Sequence, residues 1–117
     1  AHPAACAAAI ATLDIFEKEK LFDRAAEMSA YFLESVFSLQ NLGVVTDVRG
    51  YGMLAGFDIA AEGAPGVRGN LLQKRLFDAG LHIKTTGDAV MVAPALIVEK
   101  EQIDEMVEIL KQELIRL

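Results

Sequence analysis

Two pairs of short β-strand patterns, separated by a helical segment, constrain the fold of this chain most strongly. The first pair is interrupted by Gly50-Tyr51-Gly52, which predicts a bulge or bend between alternating apolar and polar residues. The second pair flanks a Gly87-Asp88 turn. Neighbouring strands this close in sequence form antiparallel hairpins, so the pattern predicts a small, mainly antiparallel sheet. The four predicted strands are residues 44–49, 53–59, 81–85 and 89–93.

Four further segments have the composition or spacing of helices. They are residues 3–18, 20–39, 70–79 and 100–116. The resulting order, α-α-β-β-α-β-β-α, predicts an α/β (α+β) two-layer sandwich whose helices cover one face of the sheet. Because a strand face and a helix stripe need a common apolar partner, we expect one core cluster. Its predicted members are Phe57, Ile83, Met106, Val107 and Leu110.

The apolar run Ala4–Leu13 is too short to span a bilayer, and it predicts a buried helix. Cys6 lies among its alanines and is interpreted as a small buried hydrophobic residue. As the lone cysteine it forms no internal disulfide, which favours a reducing, cytoplasmic location. A chain of 117 residues is expected to form one domain with one core.

The charge distribution argues against nucleic acid as a partner. The net charge is −6, and no stripe of Lys and Arg is present to contact phosphates. His2 and His82 lack the spacing of metal ligands, so no metal site is expected. The glycines at positions 50, 52 and 56 lie inside a strand pattern rather than before a helix. We therefore interpret them as backbone features and not as a dinucleotide fingerprint.

Lys84 is the most distinctive single residue, because it lies on a predicted strand just before the Gly87-Asp88 turn. A lone strand lysine is either an exposed edge charge or a cation with a function, and the residues alone leave both readings open. Arg49 is a second cation on the predicted strands.

Three segments together resemble the C-terminal small domain of a class III, pyridoxal-phosphate-dependent aminotransferase. They read AHPAACAAAIATLDIF, VRGYGMLAGFDI and, after APGVRG, GLHIKTTGDAVMVAPALIVEKEQID. The ordered set covers essentially the whole chain and is most similar to the ω-amino-acid (β-alanine):pyruvate type. The resemblance implies the small domain of fold-type-I aminotransferases over residues 1–117. Residues 1–40 would then form the helical connection from the large cofactor domain.

In this family the lysine that binds pyridoxal phosphate and the acidic residue on its pyridine nitrogen lie upstream, in the large domain. The resemblance therefore implies no catalytic or cofactor-binding residue here, and an isolated chain that is inactive. The parent enzyme would move an amino group from an amine or ω-amino acid to a keto acid such as pyruvate. It would be a cytoplasmic homodimer or dimer of dimers, with no membrane or nucleic-acid partner.

The resemblance also implies substrate-binding roles for Lys84 and Arg49. Many ω-aminotransferases carry, three residues before the Gly-Asp turn, an arginine that pairs with the substrate carboxylate. Lys84 occupies that position and offers a compact charge instead of a planar fork. Arg49 is expected either to contact substrate or to make structural hydrogen bonds. Two alternatives without a parent enzyme are a free-standing α/β ligand-binding module and a dimerisation module that uses the first helix.

Overall fold

In the part of the chain that the structure describes, four helices and the four strands of one sheet occur in the predicted order, which confirms the two-layer α/β fold. The computed structural model describes residues 2–117. The helices are α1 (Pro3–Lys18), α2 (Leu21–Phe37), α3 (Val67–Asp78) and α4 (Lys100–Ile115). The strands are β1 (Val45–Tyr51), β2 (Leu54–Ile59), β3 (Lys84–Thr86) and β4 (Ala89–Val92). A short 3₁₀ turn, Ser38–Asn41, follows α2.

The sheet has the strand order β1-β2-β4-β3, and every neighbouring pair is antiparallel. One face of the sheet packs against α2, α3 and α4 around a single core. The predicted cluster is present: Phe57, Ile83 and Leu110 are buried, and Met106 and Val107 pack against them partly buried. Other fully buried side chains include Phe32, Val36, Leu72, Leu76 and Ile103.

The strict alternation predicted for the first strand is wrong. Val45 and Val48 are both buried, although they are three residues apart, because the pairing register shifts between Val45 and Asp47. This irregularity inserts one residue and returns Val48 to the core side. The break predicted at Gly50-Tyr51-Gly52 is likewise misplaced, since β1 continues to Tyr51 and pairs there with Leu54.

Two element boundaries differ from the prediction for identifiable reasons. Helix α3 begins at Val67 and not at residue 70, because Gly66 takes a left-handed conformation (φ 83°) that starts the helix inside the predicted loop. Strand β3 contains Lys84–Thr86 only. Extending its register backwards would bring Leu81, the predicted first residue of this strand, opposite Pro94, which has no N–H to donate, so Leu81 itself is excluded from the pairing.

Helix α1 has no buried residue, so the predictions of a buried helix over Ala4–Leu13 and of a buried Cys6 are wrong for this chain. Ile10 and Leu13 are 62% and 63% exposed. The other three helices already cover the inner face of the sheet, and α1 meets α2 mainly through the edge-to-face rings of Phe16 and Phe22. Within residues 2–117, no helix combines the length and apolar character needed to cross a bilayer.

Candidate functional site

Both cations that the sequence singled out lie on the outer face of the sheet, one on each edge strand. Residues directly opposite each other in antiparallel strands project from the same face. Arg49 lies opposite Gly56, Gly56 opposite Met91, and Met91 opposite Lys84. These four residues form one row across all four strands. At about 4.8 Å per strand, the Cα atoms of Arg49 and Lys84 are about 14 Å apart.

A depression of about 260 Å³ lies over the part of this row that Arg49, Gly56 and Met91 form. Gly56 leaves its floor open, and a Cβ added there would lie 3.0 Å from the carbonyl oxygen of Val90. Apolar side chains border it: Tyr51 is 91% exposed, Leu54 51% and Met91 47%. Such exposed apolar groups beside a cation suit a molecule with a short carbon chain and a negative end.

Arg49 is held by two carboxylates on the same face. Its Nη1 donates to Asp47 Oδ2 (2.6 Å) and Asp58 Oδ2 (3.0 Å), and its Nη2 donates to Asp58 Oδ1 (2.9 Å). The bidentate hydrogen bonds to Asp58 and, to a smaller extent, the hydrogen bond to Asp47 raise the pKa of Arg49 above its ordinary value. Asp47 and Asp58 lie directly opposite each other. Arg49 therefore compensates a like-charge pair that would otherwise destabilise the sheet.

Lys84 has different surroundings. It is exposed on the edge strand β3, and no carboxylate oxygen of the described residues lies within 4 Å of its ammonium group. With Met91 it borders a second depression of about 290 Å³, next to Pro94 and Met106. Within the row, Lys84 is thus the cation whose charge remains available to an external anion.

The turn that follows Lys84 is fixed to the start of α3. The carboxylate of Asp88 accepts hydrogen bonds from the backbone N–H groups of Gly66 (2.9 Å) and Gly69 (3.0 Å). The hydrogen bond from Gly66 has the largest effect in lowering the pKa of Asp88. The hydrogen bond from Gly69 and the nearby positive charge of Arg68 lower it further. A Cβ at position 69 would lie 2.0 Å from the carbonyl oxygen of Gly87, so only glycine allows this approach. The APGVRG segment at the start of α3 and the Gly87-Asp88 turn therefore pack directly against each other.

The described residues do not by themselves fit pyridoxal phosphate. The cofactor needs a lysine held in a protected position and hydrogen-bond donors for its phosphate. All six lysines of the chain are exposed. Asp88 accepts the N–H groups of Gly66 and Gly69 at the start of α3, and Glu99 with Gln102 forms a capping box at the start of α4. Among residues 2–117, no three His, Cys, Asp or Glu side chains lie together as a metal site would require.

Sequence reasoning missed two residues of this region, Asp58 and Asp88. A signal for Asp58 was present, because a two-residue turn at Gly52-Met53 places Arg49 diagonally across from it. For Asp88 the sequence offered only the turn, since its partners Gly66 and Gly69 lie 22 and 19 residues away.

Comparisons with known proteins agree with this architecture. Residues 1–114 match the family model described as Aminotransferase class-III. An omega-aminotransferase of Caulobacter vibrioides is 42% identical over 113 residues, which are 96% of this chain and 26% of that protein. A beta-alanine–pyruvate aminotransferase of Pseudomonas aeruginosa is 32% identical over 107 residues, 91% of this chain and 24% of that protein.

A solved structure shows that the likeness extends to the fold. The acetylornithine aminotransferase of Elizabethkingia anophelis superposes with a TM-score of 0.84 at 32% identity, over 98% of this chain and 29% of that one. The chain spans about a quarter of the length of the curated relatives it matches. Because the family model covers nearly every residue, the chain belongs to the class-III aminotransferase family.

Proposed function

We propose that this chain is the C-terminal small domain of a pyridoxal-phosphate-dependent aminotransferase. The parent enzyme transfers an amino group from an amine or ω-amino acid to a keto acid such as pyruvate. The observation that carries this proposal is the match of residues 1–114 to the class-III family, with relatives named omega-aminotransferase and beta-alanine–pyruvate aminotransferase. The domain comprises residues 1–117, and residues 1–40 connect it to the large cofactor domain.

Within this enzyme, Lys84 binds the carboxylate of the amino donor or acceptor. Its support is geometric: the ammonium has no carboxylate partner among the described residues, and Lys84 borders the second depression together with the apolar residues Met91 and Met106. A charge-assisted hydrogen bond of this kind contributes about 1.5–3 kcal/mol, or about 10- to 150-fold in binding. Lys84 thus orients the amino donor through its carboxylate, which is the end of the molecule that takes no part in the transfer of the amino group.

Arg49 is proposed as a secondary substrate contact. Asp47 and Asp58 use three of its N–H groups, and a guanidinium carries five. The remaining two donors allow a hydrogen bond to a substrate oxygen. Because both neighbouring carboxylates already compensate its charge, Arg49 attracts an anion less strongly than Lys84 does.

The isolated chain is expected to be inactive, since its exposed lysines and capped helix starts offer pyridoxal phosphate no protected attachment. The test compares the full-length protein with the 117-residue chain at equal concentration. Both are supplied with pyridoxal phosphate, β-alanine and pyruvate, and alanine is quantified by chromatography. We expect alanine from the full-length protein only. The proposal would be wrong if the full-length protein formed none, or if the chain alone retained one cofactor per molecule after dialysis.

The same proposal places the parent in the cytoplasm as a homodimer or dimer of dimers. The exposed apolar side chains of α1, Ile10 and Leu13, support an additional packing partner for this helix. Analytical ultracentrifugation of the full-length protein and of the chain tests the assembly. A monomeric full-length protein would contradict it. A chain that dimerises alone and shows no parent activity would favour the dimerisation-module alternative.

A further inference from the structure

Asp88 connects three elements without lying in the outer row of the sheet. Its carboxylate accepts N–H bonds from Gly66 and Gly69 at the start of α3. Its backbone carbonyl accepts a 3.0 Å hydrogen bond from the N–H of Ile59, at the end of β2. Asp88 itself is the second residue of the two-residue turn between β3 and β4. A single residue therefore sets where this turn lies relative to both the sheet and the helix layer.

The strand that carries Lys84 depends on this junction. Strand β3 is three residues long, lies at the edge of the sheet, and pairs only with β4. Apart from that pairing, it is held by a 2.5 Å hydrogen bond from Thr85 Oγ1 to Gln73 Oε1 of α3. A short edge strand with few partners moves when its turn moves. The position of the Lys84 ammonium is therefore set from outside β3.

The geometry points to Asp88 as a positioning residue that holds Lys84 where a substrate carboxylate binds, an inference that rests on the proposed function of Lys84. The carboxylate is suited to this task because both of its oxygens accept, and each has one N–H to receive. An asparagine has the same shape, but its amide nitrogen donates. It would thus direct N–H groups against one of the two backbone donors and displace the turn.

Asp88→Asn tests the inference, with Asp78→Asn as the matched control. Asp78 ends α3, pairs with Lys74 at the surface, and loses the same charge on substitution. Amide hydrogen exchange of the 117-residue chain provides a readout that needs no activity. We expect at least 10-fold faster exchange at Gly66 and Gly69 in Asp88→Asn, with the amides in the middle of α4 unchanged. Exchange equal to that of the control would overturn the inference.

Kinetics of the full-length protein supply the second readout. Asp88→Asn should raise KM about 10-fold for an ω-amino acid, while KM for the matching amine without a carboxylate and kcat for both change less than about 2-fold. Equal losses on both donors would show a merely structural role and overturn the inference. If Lys84→Ala is selective and Asp88→Asn is not, the inference alone is wrong. If Lys84→Ala is not selective, the proposed role of Lys84 is wrong and the inference fails with it.

Thr85→Val provides a second variant should Asp88→Asn not fold. It removes the hydroxyl bonded to Gln73 while leaving the Asp88 carboxylate and its two backbone donors in place. The expected change is a smaller KM increase, about 3-fold, again confined to the donor that bears a carboxylate. An unchanged KM would show that displacing this hairpin does not affect carboxylate binding.

Discussion

Gly69→Ala tests the contact between α3 and the turn that follows β3. A Cβ at this position would lie 2.0 Å from the carbonyl oxygen of Gly87 and 3.1 Å from its carbonyl carbon. These are backbone atoms, so a side-chain rotation cannot relieve the overlap. Overpacking of this kind costs up to about 3 kcal/mol. Alanine gains about 1 kcal/mol over glycine in helix propensity, which leaves a net loss of up to about 2 kcal/mol.

The free energy of unfolding is measured by urea denaturation of the 117-residue chain, followed by circular dichroism. Gly43→Ala is the control, because a Cβ there would meet nothing within 4 Å. That variant should be neutral or up to about 1 kcal/mol more stable, since alanine restricts the unfolded chain. If Gly69→Ala is as stable as Gly43→Ala, the close approach of the Gly87 carbonyl is refuted.

Two further predictions address the core and the acid response. Leu110→Ala should lower the free energy of unfolding in urea by about 2–5 kcal/mol, because Leu110 is fully buried. Ile115→Ala, on the exposed side of α4, should lower it by less than about 0.5 kcal/mol. Similar losses in the two variants would argue against burial of the Leu110 face of α4. The lowered pKa of Asp88 means that its carboxylate stabilises the fold above the unfolded pKa of about 3.9, and this contribution disappears as pH falls through the native value. The stability difference between wild type and Asp88→Asn should therefore shrink from pH 6 towards pH 2, and a constant difference would contradict this assignment.

Much of the fold follows from local patterns. The helical stripes and the two glycine turns predict all eight main elements in order, and the period of the strands and of α4 predicts the core members Phe57 and Leu110. The errors arise where distant residues decide the local structure. Helix α3 begins earlier than predicted because Gly66 takes a left-handed conformation and Asp88, from another part of the chain, accepts the N–H groups of Gly66 and Gly69. The extra residue between Val45 and Asp47 is visible only in the pairing with β2.

The two cations of the candidate site were predictable from the sequence, but their carboxylate partners and their relative positions were not. Both cations were identified from the sequence, but their common row requires the register of three strand pairs. The difference between a compensated Arg49 and an uncompensated Lys84 depends on Asp47 and Asp58, which the strand pattern alone did not select. The exposure of α1 was also not predictable, because an alanine-rich apolar pattern indicates a helix without specifying what covers it.

The selectivity of a Lys84→Ala variant of the full-length protein tests whether Lys84 binds the substrate carboxylate. The measurement is the ratio of kcat/KM for β-alanine to kcat/KM for ethylamine, which lacks the carboxylate. Lys74→Ala is the control, because Lys74 is an exposed lysine on α3 that pairs with Asp78. We predict that the ratio falls about 10-fold or more for Lys84→Ala, is largely retained by Lys84→Arg, and is unchanged for Lys74→Ala. A Lys84→Ala ratio equal to that of wild type would show that Lys84 does not bind the carboxylate and is an ordinary charge on an edge strand.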